Sequence, residues 1–331
     1  MSLSKYCPLI VLALVVNVEG FIKYSAIYEG NMSDCKTLGD MIDKLASATT
    51  ATPVITGTDK RIVVIDAGIA TEENLKMISQ KGYDYVCVSR SSLKKYSVAE
   101  GLSSVVVYDR RKRPIELVEV QAEGVAEGAA DSEYYLRVTS PTKALKESSM
   151  YKQFCTRYEE GLALIVKGIT TKGGVKKYDR VHQRIGRLAQ KYASAHALYE
   201  IHIEKNKKDV CTSMSWKKKT QATVDKQNTC GVYFLRTSLR QANEELVWTV
   251  YNCIREIEKS IRTLKTDLDL RPIYHKTDDA SQAHIHLGLL AYWIVNTIRY
   301  PLKDKKVSSD WRELMRVMNT QKCVTTRMIN P

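Results

Sequence analysis

The sequence lacks the features that mark several large classes of protein. Its 331 residues include only 16 glycines and 7 prolines, so collagen-like and wholly disordered chains are excluded. The eight cysteines form neither a Cys-x-x-Cys pair nor a Cys-x-His spacing, so neither a zinc site nor a disulfide framework is indicated. We therefore expect reduced cysteines in a cytoplasmic protein of ordinary globular composition.

Near its start the chain has a short apolar segment, residues 8–16, behind Lys5. The segment resembles the core of a signal peptide, but it is too short to span a bilayer and no small-x-small cleavage site follows it. Its Val, Ile and Leu content and the turn-like Glu19-Gly20 instead favour a central strand buried on both faces. Residues 21–28 are its expected hairpin partner.

Positive charge is abundant and unevenly distributed. Lys and Arg number 51 against 37 Asp and Glu, a formal net charge of +14. Residues 161–240 alone contain 17 basic and 5 acidic residues. Basic residues neutralise phosphates and aromatic rings stack on bases, so this block favours nucleic acid over a membrane. The alternative is a solvated helix face beside core aromatics. The interleaved aromatic residues are Tyr178, Tyr192, Tyr199, Trp216 and Tyr233.

Hydrophobic periodicity predicts alternating strands and helices, which indicates an α/β fold. Thr71 is expected to open one helix and Gly82 to end it. The His residues of the last helix, His284 and His286, are expected to be hydrogen-bonded core residues rather than ligands. The predicted elements are a helix at 34–47, strands at 62–65 and 85–88, strands at 105–108 and 115–120, an exposed tip within 116–133, a strand at 134–138, and helices at 143–154 and 283–298.

One predicted helix, residues 241–266, contains the most informative pattern. A single apolar stripe is formed by Val247, Val250, Ile254, Ile257, Ile261 and Leu264. On its flank, Tyr251, Glu258 and Lys265 stand seven residues apart, with Arg255 and Arg262 each four residues after one of them. Two interpretations remain open: an i,i+4 salt-bridge ladder on a surface helix, or a metal-ligating carboxylate flanked by phosphate-binding groups.

The pattern resembles the Y-x2-R-x3-E-x6-K signature of bacterial insertion-sequence transposases of the DDE class, the insertion sequence four group. The resemblance covers residues 5–300, and its motifs occur in the order that the family requires. These motifs are Gly30-Asn31-x2-Asp34-x2-Thr37-Leu38, Val63-Val64-Ile65-Asp66-Ala67-Gly68, Glu73-Asn74-Leu75, Tyr233-Phe234-Leu235-Arg236-Thr237, the signature itself, Ile261-Arg262-Thr263-Leu264-Lys265, Arg271-Pro272-Ile273-Tyr274-His275, and His284.

The resemblance implies a ribonuclease-H-like core with a long mixed α+β insertion between its second and third acidic residues. Residues 1–104 would then form the first part of the core, without its first strand. Residues 105–232 would form the basic insertion, and residues 233–300 would return to the core with the Glu258 helix. Residues 301–331 would be a basic tail.

The resemblance also implies two-metal chemistry at a phosphodiester, normally with two Mg²⁺ ions, for which Mn²⁺ can substitute. Asp66 matches the second catalytic and metal-binding acid, and Glu258 the third. The implied partners are double-stranded DNA, as terminal inverted repeats and target DNA, and a second copy of the chain in the DNA complex, with no membrane; the protein would be nucleoid-associated in a bacterial cytoplasm. The predicted DNA contacts are Tyr251, Arg255, Arg262, Lys265, Trp216, Lys217, Lys218 and Lys219.

Two departures from the family pattern shape the functional expectation. The signature arginine falls on Ile254, and Arg255 lies one place later, about 100° round the helix. No acid matches the first catalytic Asp, and Glu19, Glu29 and Asp34 are poor substitutes. We therefore expect an N-terminally truncated transposase that is inactive in strand transfer. The alternatives are a non-catalytic DNA-binding fragment that regulates or inhibits transposition, and a ribonuclease-H-like nuclease unrelated to transposition.

Overall fold

The computed structural model of the protein describes residues 10–48, 60–89, 96–98, 104–109, 111–122, 133–239, 242–305, 307, 311–325 and 327. The elements in chain order are β1 (Ile10–Val16), β2 (Ile22–Glu29), α1 (Asp34–Ala48), β3 (Ile62–Ile65), α2 (Glu72–Gln80), β4 (Asp84–Val88), β5 (Tyr96–Val98), β6 (Val105–Tyr108), β7 (Pro114–Ala122), β8 (Tyr134–Thr139), α3 (Pro141–Thr170), α4 (Tyr178–Lys191), α5 (Ala193–His196), β9 (Tyr199–Lys205), β10 (Cys211–Lys218), α6 (Thr220–Thr229), β11 (Val232–Thr237), α7 (Glu244–Asn252), α8 (Ile254–Arg262), a π-helical turn (Thr263–Asp267), α9 (Asp278–Asp304) and α10 (Trp311–Met318).

The chain divides into two units. Unit 1 comprises Met1–Lys95, Ala122–Tyr135 and Leu235–Pro331, and unit 2 comprises Tyr96–Gln121 and Leu136–Phe234. The domain bounds given above from the sequence remain a prediction.

Unit 1 contains the β3 end of a mixed sheet, which helices α1 and α2 cover. Strand β3 pairs in parallel with β4, and β11 pairs antiparallel with β4. Helix α2 begins where the Thr71 side chain accepts the N–H of Asn74, and it ends before Gly82, which has a φ of 79°. Leu75 and Ile78 bury the inner face of α2 against Tyr85 of β4. The predicted α/β class and the elements of this region are therefore confirmed.

The first hairpin also lies in unit 1. Strands β1 and β2 pair antiparallel across a turn at Gly20, whose φ is 90°. The predicted hairpin is confirmed, but the expectation of a central strand buried on both faces is wrong. Within the described residues β1 pairs with β2 alone, Ile10 is exposed, and the remaining residues are only half-buried. One face of β1, with Leu12 and Leu14, packs on the core below α9, which explains the apolar composition.

Unit 2 consists of antiparallel strands and a separate helical core. Strand β6 pairs with β7, and β9 pairs with β10. Helix α3 begins two residues before its predicted start, where Ser140 caps it and Pro141 occupies its first turn, and it continues past the predicted end at residue 154 to Thr170. The strands predicted at 105–108 and 115–120 are confirmed as β6 and β7. Strand β7 also takes in residues 116–122 of the predicted exposed tip, and residues 123–132 of that tip lie outside the described residues.

The predicted continuous helix over 241–266 is interrupted. The N–H of Cys253 bonds to the carbonyl of Val250 at 3.0 Å, so a tighter three-residue turn separates α7 from α8. This turn shifts the phase of the following side chains. Helix α8 therefore buries Glu256 and Ser260, whereas Ile261 of the predicted stripe is 37% exposed.

Helix α9 runs beyond the predicted 283–298 at both ends, with Thr277 as its N-cap. Within the described ranges, no helix is both long and apolar enough to cross a membrane. The seven cysteines in those ranges are free thiols, as predicted.

Candidate active site and nucleic-acid contacts

Asp66 lies where β3 ends and the loop to α2 begins. Ile65 before it is buried, whereas Asp66 itself is exposed. Its Oδ1 accepts the N–H of Ala67 at 2.7 Å, and its carbonyl accepts the N–H groups of Ile69 and Ala70. The tight turn after a buried strand thus fixes the backbone of Asp66 and leaves its carboxylate open to solvent.

Glu258 is exposed on α8 and forms no ion pair within the described part of the chain. Its neighbours Arg255, Arg262 and Lys265 are also exposed and make no salt bridge there. The salt-bridge ladder, one of the two open interpretations, is therefore absent from the structure. Tyr251 is half-buried at the end of α7.

The opposite face of α8 is held by polar contacts to α9. Glu256 is 7% exposed, and its Oε1 accepts a hydrogen bond from Lys303 Nζ at 2.8 Å. Arg299 donates to the Thr263 hydroxyl at 3.1 Å, just beyond the end of α8. Since Glu256 and Glu258 lie about 200° apart around the helix, fixing Glu256 inward turns Glu258 outward. Sequence reasoning missed Glu256, because its partner lies 47 residues away along the chain.

Two buried hydroxyls strengthen this contact. Tyr292 OH lies 2.6 Å from Ser260 Oγ and donates to the carbonyl of Gly20 at 2.5 Å. Ser260 Oγ also lies 2.7 Å from the Glu256 carbonyl. Because the Tyr292 hydroxyl donates its proton to the Gly20 carbonyl, Ser260 is the donor in the contact with Tyr292. The single Ser260 hydroxyl proton is therefore shared between Tyr292 and the Glu256 carbonyl. The pair therefore ties α8 and α9 to the β1–β2 turn.

Arg236 of β11 is a second functional candidate that sequence reasoning did not single out beyond its motif. Its side chain is 15% exposed and donates to both carboxylate oxygens of Glu72 and, at 2.7 Å, to Glu133. The hydrogen bond from Arg236 lowers the pKa of Glu72. Burial and the hydrogen bond to Glu133 raise the pKa of Tyr85. A lone cation in an otherwise apolar strand, Val232–Thr237, is the signal that could have indicated buried counter-charges.

Three other acids of unit 1 differ in their surroundings. Glu72 is neutralised by Arg236, and Glu19 accepts from Asn17 and Tyr300. Glu29 is exposed at the end of β2. Asp66 and Glu258 are hard oxygen donors of the kind that Mg²⁺ prefers. Their chemistry therefore fits a divalent ion, while the described residues contain no group of three His, Cys, Asp or Glu that could hold a metal.

The predicted DNA contacts of unit 2 differ in their surroundings. Trp216 is half-buried and packs against the helical core, which leaves less of its ring for stacking. Lys218 forms an ion pair with Glu159 at 2.8 Å, and Lys219 Nζ lies 3.4 Å from the Ala197 carbonyl. Lys217 is exposed and has no ion pair within the described ranges.

The histidines of α9 also differ from one another. His284 Nε2 lies 3.3 Å from the Leu270 carbonyl, so that nitrogen is the donor, and its Nδ1 faces His275 Nε2 at 3.2 Å. His284 is thus a hydrogen-bonded, half-buried residue. His286 is exposed, so the expectation of a core residue is wrong for it, because it lies on the outer face of α9.

With this geometry in place, the comparisons with known proteins identify the class. Residues 4–294 match the family model described as the transposase DDE domain. The protein belongs to the DDE transposase family. A search of the curated proteins finds no match. Membership of the insertion sequence four group and truncation remain predictions.

Proposed function

We propose that the protein acts in insertion-sequence transposition by binding transposon-end DNA, with Asp66 and Glu258 as the second and third acids of the family site. The observation that carries this proposal is Glu258, which is exposed, forms no ion pair with any described residue, and stands at the signature position of a chain that belongs to the DDE family. A divalent ion, Mg²⁺ or Mn²⁺, would supply charge stabilisation for in-line attack at the phosphodiester.

The chain's own residues bind and position the DNA. Arg255, Arg262 and Lys265 lie on the exposed side of the helix region that carries Glu258, where they would contact phosphates, as would Tyr251. In unit 2, Lys217 is exposed and forms no ion pair with the described residues, so it is the predicted contact most available to DNA. Trp216, Lys218 and Lys219 lie beside it. The partners are terminal inverted repeats and target DNA, bound by a homodimer in the bacterial nucleoid.

A non-catalytic role in regulating transposition is the second candidate. It is favoured by the absence, within the described residues, of any group of three potential metal ligands. Mg²⁺ gives up its waters reluctantly, so two carboxylates alone would hold the ions weakly. We therefore expect the 331-residue chain to bind DNA with little or no strand cleavage.

The experiment uses purified chain, duplex DNA carrying the cognate terminal repeats, and Mg²⁺ or Mn²⁺. Binding is measured by gel shift, nicking on denaturing gels, and Mn²⁺ affinity by electron paramagnetic resonance. We expect DNA binding, nicking close to background, and weaker Mn²⁺ binding in Asp66→Asn and Glu258→Gln than in the matched control Glu160→Gln, an exposed glutamate of unit 2.

Three outcomes would contradict parts of this proposal. Absence of DNA binding would remove the transposase function. Mn²⁺ binding unchanged in both variants would remove Asp66 and Glu258 from the site. Robust nicking that is lost in both Asp66→Ala and Glu258→Ala would refute inactivity and show that another acid completes the site, with Asp34 and Glu29 the first to mutate.

A further inference from the structure

Helix α4 of unit 2 presents a row of basic side chains to solvent. Arg180, Arg184, Arg187 and Lys191 follow one another at spacings of four, three and four residues, and all four are exposed. Such spacing places them along one side of the helix, over a length of about 16 Å. The buried side of α4, with Val181 and Ile185, faces the helical core of unit 2.

These four cations contribute little to the fold. Within the described residues none of them forms an ion pair, whereas Arg113 and Lys205 of the same unit each pair with an aspartate at 2.7 Å. Like charges three or four residues apart on a helix destabilise it by about 0.2–0.5 kcal/mol per pair. Lys191 Nζ lies 5.4 Å from the centre of the Tyr192 ring, but no carboxylate in the described residues offsets the mutual repulsion of the row, which an anionic partner would relieve.

A neighbouring turn lengthens the row. The N–H of Tyr178 bonds to the Asp209 carbonyl at 2.9 Å, and the N–H of Cys211 bonds to the Lys176 carbonyl at 2.7 Å. These bonds hold the β9–β10 turn against the start of α4. Lys207 and Lys208 are exposed on that turn. We call the combined surface the α4 ridge, defined by Lys207, Lys208, Arg180, Arg184, Arg187 and Lys191.

The far end of the ridge borders a groove between α3 and α4. A Cβ on Gly161 of α3 would lie only 2.6 Å from Leu188 Cδ1, so glycine allows the two helices to approach closely there. Arg184, Arg187 and Lys191 line one wall of the groove, and Leu164, 68% exposed, lines the other. Close packing fixes α4 and thus the direction in which its cations project.

We propose that the α4 ridge is the principal contact of unit 2 with the sugar-phosphate backbone of duplex DNA. The proposal rests on the function proposed above, since it takes DNA as the partner. A straight row of fixed charges suits a linear polyanion. Duplex DNA presents one charge per about 1.7 Å of axis, so about nine phosphate charges fall within the roughly 16 Å between Arg180 and Lys191. An acidic protein surface is the competing occupant, and it would not require a row this long.

The test is the salt dependence of binding to a random-sequence 30-base-pair duplex, measured by fluorescence anisotropy. Because each phosphate contact contributes about 0.9 to the slope of log K against log salt, Arg184→Gln, Arg187→Gln and Lys191→Gln together should lower the slope by about 3. At about 0.1 M salt the affinity should fall at least tenfold. The conservative variant Arg184→Lys with Arg187→Lys should keep the wild-type slope, since it keeps the charge.

The matched control removes three exposed cations from elsewhere in unit 2, by Arg111→Gln, Lys146→Gln and Lys152→Gln. It should change the slope by less than about 1. If wild-type chain does not bind the duplex, the proposed function fails. If wild-type chain binds and the ridge variant behaves like the control, the ridge proposal is overturned while DNA binding stands. A ridge variant that is unfolded by circular dichroism is replaced by Arg187→Gln alone, for which an unchanged slope is equally contradictory.

Discussion

Arg236 of unit 1 and the α4 ridge of unit 2 use the same kind of side chain in opposite ways. Arg236 is mostly buried and donates to Glu72 and Glu133, so its charge is matched inside the fold. The cations of α4 are exposed, close to one another and without ion pairs in the described chain. Arg236 thus joins β11 to α2, whereas the cations of α4 leave their positive charge available to a binding partner.

The difference shows why a basic count is a poor guide to a binding surface. Residues 161–240 contain 17 Lys and Arg, and Arg236 is one of them. Lys205 and Lys218 are also within this block, and each is paired with a carboxylate. Of the cations that form no ion pair in the described part of this block, six lie on α4 and the β9–β10 turn, and these are the ones for which we expect phosphate contacts.

The largest expected effect on stability comes from removing Arg236, whose charge is paired inside the fold. Arg236→Ala leaves Glu133 without its cationic partner, with Tyr85 as its remaining hydrogen-bond donor, and should reduce the free energy of unfolding of unit 1 by about 2–3 kcal/mol, since breaking a largely buried pair exposes the cost of the remaining charge. Urea denaturation measures the change. Arg180→Ala on α4 is the control and should stay within about 0.5 kcal/mol of wild type. Equal losses of unfolding free energy in Arg236→Ala and Arg180→Ala would show that ion pairing makes no difference to stability between β11 and α4.

Tyr292→Phe should have a smaller effect on the same unit. It removes the hydroxyl that bonds to Ser260 and to the Gly20 carbonyl, which leaves buried polar groups unsatisfied at a cost of about 1–2 kcal/mol. Thermal unfolding detects the loss. Tyr300→Phe, which loses a contact with the exposed Glu19, should cost less than about 0.5 kcal/mol. A Tyr292→Phe variant as stable as wild type would show that these hydroxyl hydrogen bonds do not help to hold α8 in place.

The pH dependence of Glu72 provides a still smaller signal. Arg236 holds the folded-state pKa of Glu72 below its ordinary value of 4.5, so the interaction stabilises the fold at neutral pH and is lost as the pH falls through that lowered pKa. Because Glu72 is mostly exposed, the contribution is less than about 1 kcal/mol. The stability difference between wild type and Glu72→Gln should therefore favour wild type at pH 7 and shrink as the pH falls below 4.5 and through the lowered pKa of Glu72. A difference that grows toward acid pH would contradict this sign.

The sequence was sufficient where local signals determine the structure. The strand ending at Asp66, the cap at Thr71 and the stop at Gly82 are all encoded within a few residues of where they act. The break at Cys253 could not be predicted, because no Gly or Pro marks it and the apolar stripe continues across it. Glu256 faces inward, where it pairs with Lys303 of α9. No local sequence pattern predicts this pair, because its two residues lie far apart along the chain.

The candidate site shows the same division. Asp66 and Glu258 remain predictions from the family resemblance, and the structure places Asp66 just after β3 and Glu258 on the exposed side of α8. Whether Glu258 belongs to a salt-bridge ladder depended on side-chain partners, and spacing alone could not decide it. The β1 strand was predicted to be central from its composition, but composition does not reveal how many strands pair with it.

The role of pairing is tested most directly by removing the same charges from paired and unpaired positions of unit 2. One variant combines Arg184→Gln with Lys191→Gln, and the other combines Arg113→Gln with Lys205→Gln, so each loses one arginine and one lysine. Duplex-DNA affinity is measured over a range of salt concentrations. We expect the variant at the unpaired positions to lower the slope of log K against log salt by about 2. The variant at the paired positions should lower it by less than about 0.5. Equal slopes in the two variants would contradict this expectation.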